Sequence, residues 1–459
     1  MFTITDILKS TGASVIGKPA KDDVVFTKAS IDSRAIAGCE LFVPLRGKHK
    51  DGHDYIGIAM ENGALGTFVE RNVQLPAGFK SLGFVVDDNL RALQLLASHL
   101  RHMSKIPVIG ITGTNGKTTS KEMTAAVLSK KYKVLKTEGN YNNHIGMPLM
   151  LTCLAAHDVS VLEMGASLKR DIATLCDIAT PTIGVITNIG AGHLEGFGSI
   201  YDVRNTKLEI MDYVDTLIVN GDDAFLMEGV NNKKVERNVQ VITYSMKDKG
   251  DFNAKLLESF EAENHMRAII SVSDGETQEI ELNVLGTFNV YNALSAFIIG
   301  YTLGISIGDV AEALSTFRGV GMRMELTNYN GATVIKDLYN ANPMSMMAAV
   351  RELNRVGRAR KIAILGDMLE LGDFSKEEHS KLGFLAYETG VDVFVAVGDL
   401  MENAAIEFSK VTALRGNRRD VFRAANAVEA SIIFKDIVKK GDTVLIKGSR
   451  GLKMERILE

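Results

Sequence analysis

Cysteine is scarce in this 459-residue chain, and Cys39, Cys153 and Cys176 lie far apart, without close pairs or metal-type spacing. That scatter fits a reducing compartment better than a disulfide framework, so a cytoplasmic location is expected. Excess charge is missing too. Lysine and arginine total 52 against 56 acids, a net charge of -4, so no whole-chain basic field points to nucleic acid and any anion site must be local. The most apolar long stretch, residues 293–307, falls short of the roughly 20 residues needed to cross a bilayer and reads as a core helix. The first residues carry Asp6 and Lys9 within a short amphipathic pattern, so no signal peptide is expected. Internal repeats and low-complexity tracts are absent, as is an Asn-Lys-x-Asp guanine signature. The chain is expected to act as a monomer.

The length exceeds what one core usually serves, and three domains of about 150 residues are the starting expectation. Residues 1–102 combine short strands and glycine turns, with strands expected over 40–45 and 66–69 and a helix over 90–100. From 103 to 318, apolar strands at 108–112, 159–164 and 183–188 alternate with helical segments, the pattern of a parallel sheet covered by helices. Residues 241–284 alternate like antiparallel strands before a helix over 289–301. From 319 to 459 a new alternation, with strands at 361–365, 391–397 and 442–446, predicts a Rossmann-like unit, and Gly319 and Gly321 are candidate hinges. The fold class is therefore α/β throughout.

Residues 106–119 read as a buried strand turning through glycines into a helix that opens with Lys117 and Thr118. Gly113 and Gly116 let backbone N–H groups approach phosphate oxygens, and the helix N-terminus adds partial positive charge. Lys117 would hold the β- and γ-phosphates and Thr118 would bind Mg2+. The common loop pattern has a glycine where Ile111 stands, so this loop is a variant.

In open parallel sheets ligands collect at the carboxyl ends of strands. Glu163 ends one such strand, and His193 follows another through a glycine-rich turn over 187–193. Each taken alone is as readily a surface charge or a hydrogen-bonded structural histidine; sharing an edge with the phosphate loop favours a metal role. Lys207 falls in a helix expected over 199–211, where a solvated face is the ordinary reading. A metal role requires neutralising its ammonium or converting it to an anion, as carbamylation by CO2 would do. Asn289 and Asn292 share a helix face and could read a purine base, or serve as caps or helix contacts. In the third part, residues 337–343, 366–372 and 447–451 are polar turns at strand ends, with Arg323, Lys447 and Arg450 available for carboxylate or phosphate groups. Near the N-terminus, Ser33, Arg34, Arg46 and Gly47 lie on turns where a nucleotide or sugar could bind. His49 and His53 have metal-like spacing but no third ligand nearby, and stay outside any metal site.

These motifs together resemble the Mur ligase family of bacterial peptidoglycan synthesis, across all three parts of the chain. The resemblance implies an N-terminal unit holding the UDP portion of the substrate, a central ATPase unit and a mobile C-terminal unit. The implied reaction joins the tripeptide carboxylate of UDP-N-acetylmuramoyl-tripeptide to the amine of D-alanyl-D-alanine, with ATP becoming ADP and phosphate. By the same resemblance Gly113, Thr114, Asn115, Gly116, Lys117, Thr118 and Thr119 serve ATP, with Asn289, Asn292, Arg323 and Asp337. Thr118, Glu163 and His193 serve Mg2+, and Lys207 is similar to the lysine that becomes carbamylated. Lys117, Lys207 and His193 are the implied catalytic groups. Substrate contacts are implied for Ser33, Arg34, Arg46, Gly47, Asn140, Asn142, Asn143, Tyr339, Asn340, Asn342, Lys447, Ser449 and Arg450. Phe288 stands where relatives often carry His, and Lys336 where they often carry the first acid of an Asp-Asp pair. Competing readings are another amino-acid ligase of the family, a folylpolyglutamate synthase-like enzyme, a nucleotide-dependent switch and a silent UDP-sugar-binding scaffold. Tyr339 to Pro343 and the 365–372 segment argue against the first two, and the retained Lys117, Glu163, His193 and Lys207 against the last.

Overall fold

The computed structural model describes residues 1–17, 24–260, 265–272, 275–416 and 418–459. Three large sheets organise them, each covered by helices, and Phe2–Thr3 pairs with Val25–Phe26 in a small two-stranded antiparallel sheet. The first has five strands in the order Ser14–Ile16, Leu82–Val86, Gly66–Glu70, Leu41–Phe42, Ala29–Ser30, all parallel except the Ser14–Ile16 edge. The helix Asn89–Met103, capped by the Asp88 carboxylate on Arg91 N–H, buries Leu93 and Leu96 in a core with Phe68 and Phe84. The strand expected over 40–45 is only Leu41–Phe42, because the chain reaches Pro44, which has no N–H for a ladder. Arg101, near the helix end, donates to the carbonyls of Ala179 and Thr180 and so ties this unit to the next.

The second sheet has nine strands, and the strand Val108–Thr112 lies between Ile183–Ile186 and Val159–Glu163, all parallel. These strands are buried along their whole length, which is why they read as unbroken apolar runs. The alternating interval 241–284 differs from expectation at its start. Gln240–Ser245 pairs in parallel with Thr216–Asn220 and with Phe252–Phe260, and only His265–Val272 runs antiparallel to its neighbours, Phe252–Phe260 and Thr277–Leu282. Alternation reports a half-open face, as in the strictly alternating burial of His265–Val272, and carries no information on strand direction. Residues 261–264 and 273–274 of that interval lie outside the described residues.

The third sheet has six strands in the order Glu325–Tyr329, Ala332–Asp337, Thr443–Lys447, Lys361–Gly366, Val393–Val397, Asp420–Ala424, with only the first antiparallel. Gly319 has φ +87, but the other left-handed positions of the connection are Met322 (φ 63) and Met324 (φ 47). Backbone strain there falls on two methionines and not on Gly321. Phe288–Thr302, a long and largely apolar helix, is buried on most of its faces, and no helix among the described residues is long and apolar enough to cross a membrane.

Candidate active site

The carboxyl ends of the central strands and those of the third sheet face each other across one cavity of about 1140 Å³. Ile111 explains the variant loop. It is fully buried in register with Glu163 and Val185, so the strand runs on to Thr112 and the turn begins only at Gly113. Both glycines are required there. Gly113 has φ +135, and a Cβ would stand 2.1 Å from Thr187 Oγ1; Gly116 has φ +83, and a Cβ would stand 2.5 Å from Asn292 Oδ1. Lys117 curls over the loop, its Nζ donating to the carbonyls of Gly113 (2.9 Å) and Thr114 (3.0 Å). Burial lowers its pKa.

Thr118 Oγ1 donates to Glu163 Oε2 at 2.8 Å and accepts from Arg323 Nη2 at 2.9 Å, while Asn142 Nδ2 donates to Glu163 Oε1 at 2.9 Å. Arg323 also stacks over the Tyr339 ring, 4.1 Å from its centroid. His193, in a left-handed conformation, places Nδ1 2.5 Å from Glu370 Oε2, and burial lowers the imidazole pKa. Lys207 is not on a solvated face. It is 3% exposed, 5.6 Å from the Phe197 ring centroid, with its pKa lowered to about 7 by burial and then by the Lys117 charge. The helix expected over 199–211 is α-helical only over Ile200–Leu208 and tightens to a 3-10 turn at Glu209–Asp212.

Asn289 and Asn292 both line the cavity, joined by a 2.7 Å bond from Asn292 Nδ2 to Asn289 Oδ1. Asn289 Nδ2 is spent on Leu285 O, and Asn292 Oδ1 accepts from Ser120 Oγ. Asp337 accepts from Lys447 Nζ at 2.6 Å, and the same ammonium donates to Asn340 O. Ser449 Oγ accepts the Leu369 N–H, while Arg450 pairs with Glu455 at 3.0 Å. Asn115 and Asn342 hydrogen-bond to each other. Thr114, Thr119, Asn140 and Asn143 complete the expected residues on the cavity wall.

The structure does not bring Ser33, Arg34, Arg46 or Gly47 to this cavity. Ser33 is buried, Arg34 pairs with Asp32, and Arg46 pairs with Asp51 and Glu70. His53 is held by Asp51 and Asn89. Sequence reasoning missed the Glu370 partner of His193, and also Asp171, which lines the cavity from the start of the helix Asp171–Ala179, and Asn188, which lines it from a loop. Only the position of Glu370 within a strand-end turn hinted at it.

Among the described residues no three His, Cys, Asp or Glu side chains converge as a metal cage. Mg2+ needs none, since it is commonly held by one or two protein oxygens plus substrate phosphates and water. The adjacent hydroxyl of Thr118 and carboxylate of Glu163, beside a phosphate loop, fit that donor set.

A parallel-sheet nucleotide loop facing the strand ends of a second parallel sheet marks the chain as a multidomain α/β nucleotide-dependent enzyme. Models of the Mur ligase middle domain, the Mur ligase glutamate ligase domain and the Mur ligase family catalytic domain match residues 111–300, 322–450 and 26–101. The chain belongs to the Mur ligase family. A protein of Bacillus subtilis (strain 168) named UDP-N-acetylmuramoyl-tripeptide--D-alanyl-D-alanine ligase is 34% identical over 99% of this chain and 96% of its own length. Its namesake in Synechocystis sp. is 31% identical over 100% and 96%. Among solved structures, MurF from Acinetobacter baumannii superposes with a TM-score of 0.86 at 28% identity, covering 100% of this chain and 98% of that one. The MurF ligase of Thermotoga maritima in complex with ADP gives 0.81 at 28% identity, covering 95% and 97%.

Proposed function

We propose that this chain is an ATP-dependent amide ligase that adds D-alanyl-D-alanine to UDP-N-acetylmuramoyl-tripeptide, giving UDP-N-acetylmuramoyl-pentapeptide for peptidoglycan. Full-length similarity to relatives of that name supports the reading, and so does an ADP complex among the similar structures. The observation that carries it is the single cavity into which the phosphate loop and the strand ends of the third sheet both open. One bound nucleotide and one bound acceptor can meet there.

A carboxylate is a poor acyl donor. Transfer of the γ-phosphoryl group to a carboxylate oxygen yields ADP and an acyl phosphate; the amine then attacks the carbonyl carbon, the bond to phosphate breaks, and a proton leaves the nitrogen. Lys117, which reaches only loop carbonyls here, turns toward the phosphates when they fill the loop. Backbone N–H groups at the start of the Lys117–Leu128 helix cradle the same oxygens. Thr118 and Glu163 hold Mg2+, which supplies charge neutralisation during phosphoryl transfer. An ammonium in apolar surroundings with a pKa of about 7 is half neutral near pH 7, and the neutral amine is the form that reacts with CO2, so Lys207 is suited to carbamylation. An α-amino group with a pKa of about 7.7 to 8.0 must lose a proton before it attacks.

The working division is residues 1–102 for the UDP portion, 103–318 for ATP and 319–459 for the acceptor. Ser33, Arg34, Arg46 and Gly47 are assigned to the first of these. A cytoplasmic monomer is the proposed state. Incubating the purified chain with ATP, Mg2+, the UDP-muramoyl tripeptide and D-alanyl-D-alanine should give a pentapeptide product, ADP and phosphate in equal amounts. Folded protein that hydrolyses ATP at the same rate without the dipeptide would instead favour a nucleotide switch.

A further inference from the structure

The phosphate loop is fastened to the third sheet's first helix by a pair of carboxamides. Asn115 Nδ2 donates to Asn342 Oδ1 at 3.3 Å, and Asn342 Nδ2 donates back to Asn115 Oδ1 at 2.7 Å. Each residue is fixed from behind. The Asn115 backbone N–H donates to Asn188 Oδ1 at 3.0 Å, and its carbonyl accepts from Thr187 Oγ1 (2.6 Å) and Asn188 Nδ2 (3.1 Å). Asn342 is the N-cap of the helix Pro343–Val356, its Oδ1 accepting the Ser345 N–H at 2.9 Å while Ser345 Oγ accepts the Asn342 N–H. The approach is close elsewhere on the same seam. A Cβ on Gly190, in the loop that clamps Asn115, would stand 2.6 Å from Met344 Cε.

With its amide N–H and side chain both engaged by protein, Asn115 is poorly placed to bind phosphate, and Asn342 is likewise committed. We propose that Asn115 and Asn342 are positioning residues for ligation: their reciprocal amide pair sets the register of the acceptor-side domain on the phosphate loop, so that the acyl phosphate forms within reach of the dipeptide amine. The proposal rests on the ligase reading above. The pair is neutral, so its contribution depends on geometry and little on salt.

The test is a double-mutant cycle on the full-length chain. Asn115→Ala removes one amide and leaves the loop's backbone bonds; Asn342→Ser keeps a helix cap but does not reach Asn115. Each single variant should lower kcat for joining by about threefold to tenfold, the usual effect of one or two hydrogen bonds. The double variant should fall no further than the worse single, and a non-hydrolysable ATP analogue should bind Asn342→Ser as it binds wild type. If the serine variant does not fold, Asn342→Thr, which keeps a neutral cap oxygen and loses the Nδ2 donor, takes its place. Losses that multiply in the double variant, or weakened analogue binding by Asn115→Ala with kcat unchanged, would overturn the proposal. Wild type that forms no joined product would overturn the ligase reading instead.

Discussion

Gly113 shows how narrowly a single residue sets the nucleotide loop. Alanine there must adopt φ near +135 and also pass Thr187 Oγ1 and the backbone nitrogens of Thr187 and Asn188. Gly113→Ala should therefore move the loop and weaken binding of an ATP analogue by at least about tenfold, corresponding to roughly 1–3 kcal/mol of strain, in a calorimetric titration. Binding within about twofold of wild type would show that the loop tolerates a Cβ. Lys207 is the second residue-scale case. Its burial is incompatible with a purely solvating role, and Lys207→Ala should abolish joining, with activity partly restored by a small added carboxylate such as formate. Unchanged turnover in that variant would rule out an essential carbamate.

At the scale of elements, the turn 366–372 that carries Glu370 is anchored by a histidine the chemistry does not use. His379, on the helix Ser375–Glu388, is fully buried; its Nδ1–H donates to Ser375 O at 2.7 Å and its Nε2 accepts the Met368 N–H at 3.0 Å. Both bonds need the neutral ring, and burial lowers its pKa below the ordinary value of 6.5. Between the folded and unfolded pKa values the unfolded chain binds more protons, so this contribution is complete above pH 6.5 and is lost as the pH falls through the folded value. Denaturant titrations from pH 7.5 to pH 5 should accordingly show His379→Gln less stable than wild type at the upper end, with a difference that narrows toward the lower. A constant difference would contradict the neutral-ring account. Element identity was largely legible in sequence because fully buried parallel strands, such as Val159–Glu163, are apolar at every position. Direction within residues 241–284 was not, since alternation is shared by parallel and antiparallel strands with one open face.

For the molecule as a whole, the legible part of the site was the part coded locally. Gly113 to Thr118 announce themselves because glycine placement, strand and helix are contiguous. The pairing of His193 with Glu370, the burial of Lys207 and the Asn115–Asn342 contact depend on how separate sheets meet, and no short window of sequence reports that. The N-terminal arginines illustrate the converse. Their turns were found, yet local acids at positions 32, 51 and 70 engage them away from the cavity. A third-domain carboxylate, Glu352, further accepts from Thr287 N–H and Oγ1 at 3.1 Å each, at the start of the helix that bears Asn289 and Asn292. As proposed, this assembled cavity activates a carboxylate with ATP before an amine captures it. The most direct measurement uses UDP-muramoyl tripeptide labelled with 18O in both terminal carboxylate oxygens, with the released phosphate read by mass spectrometry. One labelled oxygen is expected in each phosphate per amide formed; unlabelled phosphate accompanying full product yield would rule out an acyl phosphate.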